Sequence, residues 1–179
     1  MSRIELLNPS QTKGKAQEQL AQIESAFGSI PNMFKAIANS PAALKSMWGS
    51  FGALGQGAID ARLGEQIAVA IANFNSCEYC LAAHTALGRK AGASAREMEA
   101  AQRGSSEDPK TAAILAFALN IVKNRGQDVE VDISSLRRLQ VSDEIIAEVL
   151  AHVALNVFTN YVNLVFDVPL DFPRINLRK

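Results

Sequence analysis

The chain has only two cysteines, Cys77 and Cys80, and one of its only two histidines, His84, follows four positions later. Thiols and an imidazole grouped this closely can hold a metal, exchange disulfides, or arm a sulfur nucleophile with a base at its side. Ser76 is a favourable helix N-cap, and the alanine- and leucine-rich run from Cys77 to about Ala91 is expected to be helical. Both thiols then fall on the first turn, where free backbone N–H groups and the helix dipole favour a thiolate. At about 100° per residue, Cys77, Cys80 and His84 share an arc of roughly 60° on that helix. Glu65 lies twelve residues before Cys77, in the apolar stretch Leu63 to Phe74, which also reads as helix. The link Asn75-Ser76 is short enough to return the chain antiparallel, carrying Glu65 beside the turn that bears His84. A carboxylate beside an imidazole raises its basicity, and the imidazole can then take a proton from Cys80 one helical turn away.

A Cys-x-x-Cys pair alone leaves several readings open. A structural zinc site needs four ligands, so His152 or a carboxylate would have to join Cys77, Cys80 and His84. A thioredoxin-like oxidoreductase would need strands around the motif, but the run before Cys77 has helical periodicity and little β-branched alternation. Cysteines that are merely small buried hydrophobes in a structural, oligomeric protein would leave the grouping of four reactive side chains to chance.

The pattern Glu65-x11-Cys77-x2-Cys80-x3-His84 resembles the active-site motif of the alkylhydroperoxidase D and carboxymuconolactone decarboxylase superfamily, in its cysteine-bearing peroxidase branch. The resemblance implies an all-α, single-domain helical bundle and a thiol-dependent peroxidase acting on small organic hydroperoxides or hydrogen peroxide. It assigns attack on peroxide to Cys80, resolution as a disulfide to Cys77, and the proton relay to His84 and Glu65. Tyr79 stands where the best-known member carries a histidine, so a phenol takes the place of one proton carrier. No metal or flavin cofactor is implied, and re-reduction falls to an external dithiol or a lipoyl group on a partner protein. A general disulfide oxidoreductase of the same fold is the alternative. A lactone decarboxylase would have no use for the two thiols.

With 179 residues, 48% of them hydrophobic and 20% charged, one domain with a real core is expected. Eighteen basic and eighteen acidic residues cancel, so no net field attracts nucleic acid or an anionic membrane. The first residues lack a signal-peptide core and no run is read as a membrane span, which predicts a cytoplasmic protein. A redox pair of cysteines suits that reducing compartment.

The remaining elements are expected to frame the site. Residues 1–9 read as a loose arm and 168–179 as a docking tail, with helices at Ala16–Phe27, from Asn32 as cap, and from Ser40-Pro41 to Leu54. Met47, Trp48, Phe51 and Leu54 form a bulky face that packs in the core or an interface, or walls the substrate pocket. Asp60 should cap the Glu65 helix, Ser94 with Glu97 should form a capping box, and Asp108-Pro109 should open a helix to Lys123. A brief helix is expected from Asp132 or Ser134 to near Gln140. Ser142 caps the longest, Asp143 to Phe166, apolar on most sides, which predicts a homo-oligomer; the family resemblance implies a trimer or a hexamer. On it His152 reads as a hydrogen-bonded core histidine, and Thr159, Asn160, Tyr161 and Asn163 need polar partners.

Overall fold

The computed structural model describes residues 2–178; Met1 and Lys179, the outer ends of the expected arm and tail, lie outside the described residues. The described residues form nine helices and no strand: α1 (Gly14–Phe27), α2 (Asn32–Ile37), α3 (Pro41–Leu54), α4 (Ala61–Phe74), α5 (Glu78–Lys90), α6 (Ala95–Gln102), α7 (Pro109–Asn124), α8 (Glu130–Arg138) and α9 (Asp143–Phe166). The all-α bundle predicted from the sequence is therefore the observed architecture.

At its centre is α4, packed against α5, α6, α7 and α9. Every residue from Gln66 to Ala72 is buried, and most are alanine, valine or isoleucine, compact enough for four helices to close around one. Side-chain oxygens of Ser40, Asp60, Ser94, Asp108 and Ser142 each accept the backbone N–H three residues on, so five helix starts lie where their caps place them. Ser94 and Glu97 complete the reciprocal capping box.

Four local expectations are corrected. The cap of α2 is Pro31, and Asn32 is the first helical residue, its N–H held by the Asp171 carboxylate at 2.7 Å. α8 opens at Glu130, earlier than Asp132 or Ser134, with acidic residues in its first turn and Arg137 and Arg138 in its last, an arrangement that complements the helix dipole. The arm is docked: the Arg3 N–H donates to the Phe166 carbonyl at 2.7 Å, that of Leu7 to Lys35 at 3.2 Å, and Ile4, Leu6 and Leu7 pack on the core. Finally, α9 is long and apolar enough to cross a membrane by length and composition, with 24 residues and a mean hydropathy of 1.4 over its apolar window. One side of it is used within the fold, where Val149, Val153, Asn156, Asn160 and Asn163 are buried against the bundle. The other side leaves Leu150, Tyr161, Leu164 and Val165 exposed.

Candidate active site

The turn between α4 and α5 builds the site. Ser76 is not the cap of α5; it has φ 58°, in the left-handed region, and its N–H donates to the Asn73 carbonyl while that of Cys77 donates to Ala72. These two bonds close α4 in the manner of a Schellman motif, with Ser76 in the position that glycine usually fills. Cys77 thereby ends one helix and caps the next, since its sulfur accepts the Cys80 N–H at 3.3 Å. One residue serves both helices, which fixes them antiparallel across a minimal link.

That register brings Glu65 to His84, with Glu65 Oε2 2.7 Å from His84 Nδ1. Gly88, one turn beyond His84, allows the approach, because a Cβ there would stand 3.2 Å from the Glu65 Cβ and closer still to the end of Met98. With Nδ1 engaged by the carboxylate, Nε2 is the nitrogen left to exchange a proton.

The two sulfurs are joined in a Cys77–Cys80 disulfide and are buried, at 1% and 2% exposure. Burial means that a reagent can reach them only through a cavity or after a movement of the chain. A cavity of about 40 Å³ does reach Cys80, with His84, Thr159 and Asn163 as its polar lining and Phe27, Phe34, Phe51, Leu87 and Phe172 among the apolar walls. The α3 face expected to pack or to wall a pocket does both: Phe51 lines the cavity, whereas Trp48 stands behind it, edge-on to Phe34 at 5.8 Å.

Tyr79 also borders this cavity, but its hydroxyl is committed elsewhere, accepting the Met33 N–H at 3.3 Å at the start of α2. Burial, with a smaller contribution from Asp171, pushes its acidity far below that of an ordinary phenol, so the hydroxyl keeps its proton. Phe172 packs edge-on against its ring at 5.7 Å, and Arg174 pairs with Glu78 at 3.4 Å, so the tail lies across the first turn of α5.

Two residues on α9 matter more than their sequence context suggested. Asn163 donates from Nδ2 to the Cys80 sulfur at 3.3 Å and to the Thr159 carbonyl at 3.0 Å, while its Oδ1 is buried without a partner. The signal for it was an amide inside an apolar helix; the missing information was which side of α9 faces α5. Within the same polar group, Asn160 accepts from Asn75 Nδ2 at 3.0 Å and so ties down the α4–α5 turn, and Tyr161 is exposed. His152 is not the hydrogen-bonded core residue expected. Its Nε2 is buried and unpaired, and the ring lines a second cavity together with Glu65 and His84. Among the described residues no group of three or more His, Cys, Asp or Glu side chains is arranged to hold a metal ion.

The fold is similar to solved structures over nearly its whole length. A peroxidase-related protein from Ralstonia eutropha JMP134, described as an alkylhydroperoxidase AhpD core, superposes with a TM-score of 0.86 at 22% identity, covering 95% of this chain and 92% of that one. A peroxidase-related protein from Silicibacter sp. TM1040 gives 0.82 at 22% identity, covering 94% and 91%. The debrominase Bmp8, as a cysteine-to-alanine variant in complex with 2,3,4-tribromopyrrole, gives 0.81 at 20% identity, covering 96% and 94%. No curated protein sequence matches. The sequence profile of the carboxymuconolactone decarboxylase family matches residues 41–124, which span α3 to α7 and so contain Glu65, both cysteines and His84. Over residues 41–124 the chain is similar to the carboxymuconolactone decarboxylase family, and over nearly its whole length it has the alkylhydroperoxidase D-like fold.

Proposed function

We propose that the protein is a thiol-dependent peroxidase for small organic hydroperoxides, working in a reducing cytoplasm. The observation that carries this reading is the Cys77–Cys80 disulfide, whose Cys80 shares one largely apolar cavity with His84, the imidazole paired with Glu65. In the reduced protein His84, oriented by Glu65, takes the proton of Cys80, and the Asn163 amide donates a hydrogen bond to the resulting thiolate. The thiolate attacks the distal oxygen of the hydroperoxide, the O–O bond breaks, and the departing alkoxide takes the proton back from His84. Cys80 is then a sulfenic acid. Cys77 displaces its hydroxyl as water and the disulfide forms. Two electrons and two protons from an external dithiol, for which a lipoyl group is the family precedent, restore both thiols. The aromatic and aliphatic walls favour an organic hydroperoxide over hydrogen peroxide, because an alkyl or aryl tail gains by leaving water and a bare peroxide does not.

A second reading is favoured by the likeness to a debrominase and by the same aromatic lining. There the oxidant is an aryl halide: the carbon–halogen bond is replaced by carbon–hydrogen, halide leaves, and the two thiols close to the same disulfide. The test is to add cumene hydroperoxide, hydrogen peroxide or a bromopyrrole separately to the fully reduced protein, counting thiols and measuring peroxide or free bromide. Loss of two thiols per hydroperoxide consumed supports peroxidation. Bromide release with an inert hydroperoxide selects the second reading, and an unchanged thiol count with all three removes both.

The exposed row Leu150, Tyr161, Leu164 and Val165 on α9 is the surface we assign to self-association, in a trimer or a hexamer. Light scattering at micromolar concentration tests it, and a monomer there refutes it.

A further inference from the structure

The second cavity lies on the far side of the Glu65–His84 pair from the sulfur. It is open to solvent, holds about 260 Å³, and lies between the end of α3, the loop 55–60, the start of α4 and α9. Its lining and that of the Cys80 cavity have just two residues in common, Phe51 and His84. Of the two only His84 has an exchangeable proton, so it is the side chain that can pass one between the sulfur and this chamber.

Several features show that the chamber is built around His152. Gly64 immediately precedes Glu65, and a Cβ at Gly64 would stand 3.2 Å from His152 Cε1, so the ring rests on α4 where only glycine lets it. The rim is held by Glu148, one turn before His152 on α9, which accepts the backbone N–H groups of Ala58 and Ile59 at 2.8 and 2.9 Å. Gly57 leaves room for that carboxylate, which a side chain there would displace, because a Cβ would fall 2.6 Å from Glu148 Oε2. Inside, a buried His152 Nε2 without a protein partner shares the space with Glu65 and Asn156. At about 30 Å³ per molecule the chamber is large enough for several waters, and an unpaired imidazole nitrogen and a carboxylate are the partners that order them.

We propose that this chamber is the aqueous face of the thiol relay and that His152 is a positioning residue within it, holding Glu65 through water so that the relay runs Cys80, His84, Glu65, His152. The step is a proton transfer only: the proton of Cys80 passes to His84, and Glu65 and His152 set how readily His84 accepts it. Four charged or titratable groups bear on His152: Glu148 on its own helix, Glu65 on α4, Asp60 at the α4 cap and His84 on α5. α3 presents only Phe51 and Leu54 to the chamber, neither of which titrates. Burial lowers the proton affinity of His152, the carboxylates of Glu148 and Glu65 oppose that, and a cationic His84 adds to it.

The inference rests on the relay proposed above, and its tests need no peroxide. With just two histidines in the chain, imidazole NMR of the oxidised protein resolves each titration directly. Glu65→Gln should lower the His152 midpoint and His84→Gln should raise it, each by about half a unit, a roughly threefold change in proton affinity. In the reduced protein, the rate of Cys80 alkylation against pH should carry a second inflection at the His152 midpoint, absent in His152→Gln. Should that variant fail to fold, Gly64→Ala, which displaces the ring without removing it, should move the same inflection. An unmoved His152 midpoint in both substitutions overturns the coupling. Coupled titrations with superimposable alkylation profiles overturn the positioning role, whatever the oxidising substrate proves to be.

Discussion

Replacing Asn163 by leucine separates what the amide does for the sulfur from what it does for the fold. Asn163 is buried, gives one N–H to Cys80 and one to the Thr159 carbonyl, and leaves its own carbonyl unpaired. A hydrogen bond to a charged acceptor is worth about 1.5–3 kcal/mol, and 1.36 kcal/mol is one unit of proton affinity, so its loss should raise the pH of half-alkylation of Cys80 by about 1–2 units. The sign follows because the amide stabilises the thiolate and not the thiol. At a pH below both midpoints the thiolate fraction, and with it the attack rate, should fall about 10- to 100-fold. Stability should move the other way or hardly at all. A buried unpaired carbonyl costs about 1–3 kcal/mol, and leucine, which has the branched shape of asparagine with more bulk, removes that cost together with the lost bonds. The assay is iodoacetamide trapping of the reduced protein across pH, read by mass spectrometry, beside urea denaturation of the oxidised form. An alkylation midpoint equal to that of the wild type in a stably folded variant would refute the role given to the amide.

Tyr79→Phe strands the Met33 N–H, so it should cost about 1–3 kcal/mol of stability by denaturant melt while leaving the Cys80 alkylation rate within about twofold; a tenfold rate loss without destabilisation would return the phenol to the chemistry. Phe172→Ala removes a wall that covers the first turn of α5, and disulfide reduction by dithiothreitol should quicken several-fold; an unaltered rate would place the access route elsewhere. Stability should decline on acidification. Burial sets the folded-state pKa of His152 below its ordinary 6.5, so the unfolded chain binds a proton that the folded chain resists, and the stability is whole above about pH 6.5 and falls below it. Glu148, its carboxylate held by two backbone N–H groups, is depressed likewise and adds a loss as pH falls through its folded-state value. Denaturant melts of His152→Gln between pH 7 and 5.5 should show the shallower slope, and equal slopes would contradict the placement of that imidazole.

Local chemistry made much of this protein legible in its residues alone. Ser40, Asp60, Ser94, Asp108 and Ser142 start helices because a side-chain oxygen satisfies a backbone donor within the same few residues, and no distant contact is needed. The pairing of Glu65 with His84 was legible for a related reason: two helices joined by a minimal turn can only fold back on each other, and helical pitch then dictates which residues meet. The turn itself was misread at Ser76, because a serine that can cap a helix can also occupy the left-handed position that ends one, and the choice depends on the Cys77 and Ser76 N–H groups finding α4 carbonyls. What remained hidden was set by packing between elements far apart in the chain. Asn163 meets Cys80 across 83 positions and His152 reaches the chamber past Gly64, contacts that no periodicity within α9 encodes. They follow from how α9 is rotated against α4 and α5, and that rotation is decided by the whole buried interface, so only the tertiary structure could show which of its polar side chains face the sulfur.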